Sequence, residues 1–140
     1  MYVTKIEPVT KTKYKVFIDG QFAFVLYKGE LSRYHITQDT EVDERLVSQI
    51  LSETVLKRAK LRAIHLLADM DRTESQLRTK LRQGLYQDDI IEQAIAYVKS
   101  FGYVEDEDYA RRLVLSRQSR KSRKEIYASL AKKGFAKEDD

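Results

Sequence analysis

The chain of 140 residues has no cysteine, one proline and two histidines. Without cysteine there can be no disulfide framework and no thiolate metal site, and a reducing cytoplasm is the expected setting. No apolar run approaches the length of a membrane span. The segment Met1-Tyr2-Val3-Thr4-Lys5 leads into no apolar core of signal-peptide length. A lipid surface would therefore have to be met by charge alone, and no membrane partner is expected.

Catalytic sets are also missing. His35 falls in an irregular stretch, and His65 sits between Ile64 and Leu66 with Asp69 four residues on. Both read as surface or satisfied histidines rather than ligands. There is no glycine loop of the kind that cradles phosphate and no nucleophile elbow. The acidic cluster Glu105-Asp106-Glu107-Asp108 lacks the ligand spacing and central glycine of a calcium loop, so helix capping explains it more simply. A hydrolytic enzyme is thus disfavoured. The expectation is a binding protein with no catalytic residue, no metal, no cofactor and no small-molecule substrate.

What is present is 42% hydrophobic and 34% charged residues, enough for modest cores under a heavily charged surface in one domain or two small ones. The net charge of +4 is unevenly placed, because residues 1–50 carry seven basic and seven acidic side chains. The excess lies beyond. From Ala110 to Lys124 there are seven cations (Arg111, Arg112, Arg117, Arg120, Lys121, Arg123 and Lys124) and no acidic residue. A second basic stretch is Lys57-Arg58-Ala59-Lys60-Leu61-Arg62. Such runs suit a polyanion or an acidic protein surface, although a solvated helix face has the same composition.

The chain opens with strands. Lys13–Ile18 and Gln21–Leu26 flank Asp19-Gly20, a pair that favours the type I′ hairpin turn with positive φ at both central residues. Tyr14, Val16 and Ile18 should share one face, with Lys13, Lys15 and Phe17 on the other. Tyr2–Ile6 adds a third strand ending near Pro8. A hairpin alone is marginal, so this sheet should lean on the helices that follow. Gly29 is expected in a loop, with one helical turn over Leu31–Tyr34. Asp43 is the expected cap of a short helix through Leu51, which either stops near Ser52 or runs on.

From Val55 the periodicity is helical. Leu56, Ala59, Ala63, Leu66, Leu67 and Met70 are spaced for burial on one face. Thr73-Glu74-Ser75-Gln76 has the form of a capping box, Leu77 and Leu81 follow, and the helix ends at Gly84. Leu85-Tyr86 should pack back. A third helix starts at Asp88 or Asp89 with Ile91, Ala94, Ile95 and Val98 inward. The stretch Phe101–Ala110 then closes that helix at Gly102, caps the next with Asp106 and opens a new apolar face at Tyr109-Ala110.

The same grammar repeats after this junction. Ser122-Arg123-Lys124-Glu125 is a second capping box, followed by Ile126, Leu130 and Gly134. Thr73 to Ser122 and Leu77 to Ile126 are each 49 residues, and Gly84 to Gly134 is 50. Matching cap, core pair and glycine at one period point to duplicated three-helix units. The expected fold is therefore mostly α, with tandem three-helix repeats preceded by a small β-hairpin or β-sheet module. The expected domains are a β-rich module over 1–42, a first repeat with a leading short helix over 43–103, and an incomplete second repeat over 104–140.

This order of parts resembles the RecX family of bacterial recombination regulators. The resemblance rests on Lys13–Phe24 with its Asp-Gly hairpin, on Arg72–Leu81, on Gly102–Ala110 and on Ser122–Gly134. It implies a protein that binds the RecA recombinase or the RecA–DNA filament and mostly inhibits its ATPase and strand exchange in recombination, DNA repair and the SOS response. It also implies a further repeat beyond the point where this sequence ends. The basic side chains Lys57, Arg58, Lys60 and Arg62, with the seven cations from Arg111 to Lys124, are the expected contact residues. The competing expectation is a basic helical module that binds DNA directly.

Overall fold

The computed structural model describes residues 1–101. The junction beyond Phe101, the second unit over 104–140 and the cations from Arg111 to Lys124 lie outside the described residues.

Strands β1 (Tyr2–Pro8), β2 (Lys13–Ile18), β3 (Gln21–Tyr27) and β4 (Thr40–Glu41) form one antiparallel sheet in the order β3-β2-β1-β4. The hairpin turn is as expected: Asp19 and Gly20 have φ of 51° and 80°, and Ile18 pairs with Gln21. Val3, Val16, Ile18, Phe24 and Leu26 are buried. Phe17 and Phe22 instead pair edge to face, 5.9 Å between centroids. Val16 and Ile18 thus alternate with Phe17 as expected, while Lys13, Tyr14 and Lys15 are all only partly covered, and the sheet's buried side faces the helices.

Helix α1 (Lys28–Arg33) starts earlier than its composition suggests and takes in Gly29. The reason is a cap: the Tyr27 amide donates to the Glu30 carboxylate at 2.8 Å, closing the first turn around the glycine. Helix α2 (Glu44–Gln49) is capped by Asp43, which accepts from the Arg45 amide at 3.1 Å. It does not stop at Ser52. Ile50–Val55 continues it as a π-helical turn into α3 (Leu56–Asp69). Thr54 in that turn is buried, and its hydroxyl lies 2.6 Å from that of Tyr34.

On α3, Ala59, Ala63, Leu66 and Leu67 are buried as their spacing predicts, together with Ile64. Met70 is not: it is 44% exposed, because its backbone (φ −158°, ψ 157°) has already left the helix. Leu56 is only partly covered. The box before α4 (Glu74–Gln83) is complete. Thr73 Oγ1 accepts from the Gln76 amide at 3.1 Å, and Gln76 Oε1 accepts from the Thr73 amide at 2.9 Å. Leu77 and Leu81 are fully buried. Helix α5 (Asp88–Lys99) turns Ile90, Ile91, Ala94, Ile95 and Val98 inward. Its cap position is Gln87, whose side chain donates to the Phe22 carbonyl at 2.6 Å and so ties α5 to β3.

The end of α4 is informative. Gly84 has an ordinary φ of −80°, and the left-handed residue is Leu85 at 69°. The glycine is needed for room instead: a Cβ there would lie 3.1 Å from Tyr86 Cε2 and 3.3 Å from the Leu81 carbonyl oxygen. Gly84→Ala should therefore destabilise the fold by about 1 kcal/mol through overpacking. Urea denaturation checks this, and a variant as stable as the parent would show that the Tyr86 ring yields freely.

The buried residues of the sheet and of the helices form a single cluster that runs from Val3 to Val98. Gln87 and Arg58 add polar ties between the two layers.

Candidate functional site

Helical spacing puts Arg58, Leu61, Arg62 and His65 along one side of α3. That side meets the end of β3 and the turn after α4. These three elements, with Lys13 of β2 and Val55 of the π-helical turn, form a half-open cavity of about 210 Å³ at the seam between sheet and helices. Its floor is aliphatic, from Val25, Val55, Leu61 and Leu85; its rim carries Lys13, Arg58, Arg62 and His65, with Tyr27 and Tyr86 between them. Among the described residues no Asp or Glu lines it. The volume is below the roughly 300 Å³ at which small-molecule sites begin, so it suits one apolar side chain on the floor with a small anionic group at the rim.

The cations of α3 have different surroundings. Arg58 donates to the Val25 carbonyl at 3.0 Å, pairs with Glu30 and lies 4.6 Å from the Tyr27 ring centroid. It is a clasp between β3, α1 and α3, and its charge is largely spent there. Lys60 Nζ sits 4.7 Å over the Tyr97 ring of α5. Lys57 borders a second, mixed-charge cavity of about 230 Å³ with Glu30, Arg33, Glu53 and Thr54. Arg62 is exposed on the rim and makes no hydrogen bond or ion pair among the described residues.

Tyr86 lines the cavity half-buried. Burial pushes its hydroxyl up to about 12, against the opposing pull of Arg58 and Arg62, so it stays a protonated donor across the working pH range. Lys13 Nζ lies 5.6 Å from the centroid of the Tyr27 ring that Arg58 also approaches.

The α4–α5 side has the opposite electrostatic character. Arg78 makes a two-pronged contact to Glu92 at 2.9 and 2.8 Å, Arg82 pairs with Asp88 at 3.2 Å, and Lys99 pairs with Glu74 at 3.2 Å. The hydrogen bond from Arg78 holds the Glu92 carboxyl below the usual carboxylate range. Arg78, Arg82 and Lys99 on that side are neutralised by their neighbours, whereas at the seam cavity Lys13 meets an aromatic ring, Arg62 meets solvent and only Arg58 has a carboxylate partner.

The basic stretch 57–62 is therefore split by the fold. It does not form one continuous patch: Arg58 is structural, Lys60 leans on α5, and Arg62 reaches the rim. Sequence reasoning missed the other members, Lys13, Tyr27 and Tyr86, because they come from segments up to 73 residues apart. The only sequence signal for Tyr86 is the glycine two positions before it. His65 is exposed, as expected, but exposed at the cavity. No group of His, Asp or Glu that could hold a metal occurs among the described residues. No helix of the described residues is long and apolar enough to cross a membrane.

A family model described as "RecX, first three-helix domain" matches residues 59–97, the span from the first turn of α3 to near the end of α5. The chain is 34% identical over 140 residues to a protein of Caldanaerobacter subterraneus subsp. tengcongensis named "Regulatory protein RecX", covering 99% of this chain and 71% of that one. It is 31% identical over 106 residues to a protein of the same name from Leuconostoc citreum, covering 76% and 40%. A third of that name, from Clostridium acetobutylicum, is 28% identical over 135 residues, covering 95% and 63%. A solved structure, "Crystal structure of regulatory protein RecX", is similar with a TM-score of 0.43 and 23% identity, covering 96% of this chain and 73% of that one.

Proposed function

The chain belongs to the RecX family, and on that premise we propose that it is a non-enzymatic regulator that docks on RecA or its DNA filament and restrains the recombinase's ATPase and strand exchange. The reading takes in recombination, DNA repair and the SOS response, and a cytoplasmic setting shared with RecA. The architecture that goes with it is a tandem array: the β-rich module over 1–42, a first repeat over 43–103 and a second repeat entered at 104. The 49-residue spacing of cap and core positions supports the duplication.

One observation carries the docking role. At the seam cavity Lys13 and Arg62 lack carboxylate partners among the described residues, while Arg78, Arg82 and Lys99 on the α4–α5 side are paired with carboxylates. An unneutralised cationic zone is where long-range attraction to an acidic filament would act. Arg62 on the rim of that zone, with Lys57 and Lys60 elsewhere on α3 and Arg111, Arg112, Arg117, Arg120, Lys121, Arg123 and Lys124 from the later basic stretch, are the proposed contact set. Arg58 contributes by holding the zone together.

The test is inhibition of RecA's DNA-dependent ATPase. Joint replacement of Lys57, Lys60 and Arg62 by Glu should weaken inhibition about tenfold or more, since like charges placed against a complementary surface cost several kcal/mol. Reversing the Arg111–Lys124 set should do the same. Unchanged inhibition by folded variants would remove the assignment. Tight binding to naked DNA, lost in the same variants, would favour the direct DNA-binding reading instead.

A further inference from the structure

We propose that the cavity at the sheet–helix seam is a docking pocket for a protein side-chain pair, an apolar residue next to a carboxylate, on the surface of the partner. This rests on the regulatory reading above and names the chemistry of one of its contacts. The argument begins with the lining. A site for the phosphodiester backbone has no use for a floor of Val25, Val55, Leu61 and Leu85. Seating a phosphate on four aliphatic side chains would strip its water and return few hydrogen bonds. A cavity of about 210 Å³ is also too confined for a phosphate with its flanking sugars.

An acidic peptide segment meets both halves of the lining. Its apolar side chain replaces water on the aliphatic floor. Its carboxylate faces Arg62 and Lys13, neither of which has a carboxylate partner among the described residues. The Tyr86 hydroxyl has no hydrogen-bond partner among the described residues and stands available as a donor to the same group. Charge complementarity is therefore specific in direction: among the described residues the rim carries cations and no carboxylate.

Part of the pocket wall is held by contacts within the chain. Arg58 is fixed by the Val25 carbonyl, Glu30 and the Tyr27 ring, and Gly84 lets the Tyr86 ring close against the α4 turn. A preformed pocket loses less freedom on binding than a mobile one. Leu85, held at a φ of 69°, is part of the same wall, so a strained backbone position sits at the cavity and not in a remote loop.

The experiment uses the whole chain, RecA filaments assembled on a single-stranded oligonucleotide, and the naked oligonucleotide. Filament binding should fall about tenfold or more in Lys13→Glu/Arg62→Glu and stay within about twofold in Lys80→Glu, a control on exposed α4. His65→p-benzoylphenylalanine, placed on the rim, should photo-crosslink to RecA polypeptide. A crosslink to the oligonucleotide alone would overturn the pocket's assignment to a protein. Undiminished filament binding by the Lys13/Arg62 variant would overturn the pocket while leaving the regulatory reading standing. Failure of the unaltered chain to bind filaments would remove both.

Discussion

Phe24→Ala should cost about 3–5 kcal/mol, the usual range for emptying a buried phenylalanine site. Phe24 is 1% exposed and sits on β3, opposite Val16 in the hairpin. What makes the prediction more than a core substitution is where the lost stability should appear. The cluster that holds Phe24 also holds Ala63, Leu77 and Ile91 of the helices. The α3–α5 helices should therefore unfold together with the sheet. There is no tryptophan, so the nine tyrosines supply the tertiary signal. Helical ellipticity and tyrosine signals should be lost in one transition, with its midpoint moved down by about 2 M urea for a slope near 1–3 kcal/mol/M. For a domain of ordinary stability, about 5–15 kcal/mol, that is a large fraction of the total. Helical signal persisting at the parent's midpoint, after the tyrosine signal has gone, would mean that sheet and helices fold separately.

The parts of this fold legible from sequence are those fixed by neighbours in the chain. Asp19-Gly20 sets its own turn, because both residues accept positive φ. Thr73 and Gln76 satisfy each other's amides three residues apart. The inward faces of α4 and α5 follow from period alone. Other features depend on distant partners and left no local trace. The strand β4, only Thr40–Glu41, exists because β1 offers an open edge. Gly29 is helical because Glu30 caps Tyr27. Leu85, not Gly84, takes the left-handed conformation, and the glycine instead leaves room for the Tyr86 ring.

The candidate site was half legible for the same reason. Composition marked 57–62 as basic, but a count of charge cannot say which cations are already engaged. Arg58 was grouped with Arg62 by type and separated from it by the positions of Glu30 and Val25. The cavity itself needs Lys13, Tyr27, Arg62 and Tyr86 to meet, which only the packing of β3 against α3 and the α4 turn supplies. The duplicated second unit rests on sequence spacing.

Arg58→Met should cost about 2–3 kcal/mol, the second-largest loss expected here. Met keeps an unbranched stem, so the loss isolates the guanidinium. Three contacts go with it: the hydrogen bond to the Val25 carbonyl, the pair with Glu30 and the stacking on Tyr27. Removing one partner of a fully buried pair costs about 3–5 kcal/mol. The Arg58 and Glu30 side chains retain 21% and 20% exposure, so water can partly compensate the stranded carboxylate and the figure is reduced. Glu30→Gln should cost less, since the glutamine oxygen can still accept from the Tyr27 amide and from the Arg58 guanidinium, which also keeps its bond to the Val25 carbonyl. In a double-mutant cycle the two changes should couple, because they share one contact. Arg62→Ala is the comparison that separates structure from docking. An exposed side chain with no described partner should move stability by no more than about 0.5 kcal/mol. A chain in which Arg58→Met weakens folding and Arg62→Glu weakens only filament binding would show that two arginines one helical turn apart divide the work, one holding the seam closed and the other reaching out from it.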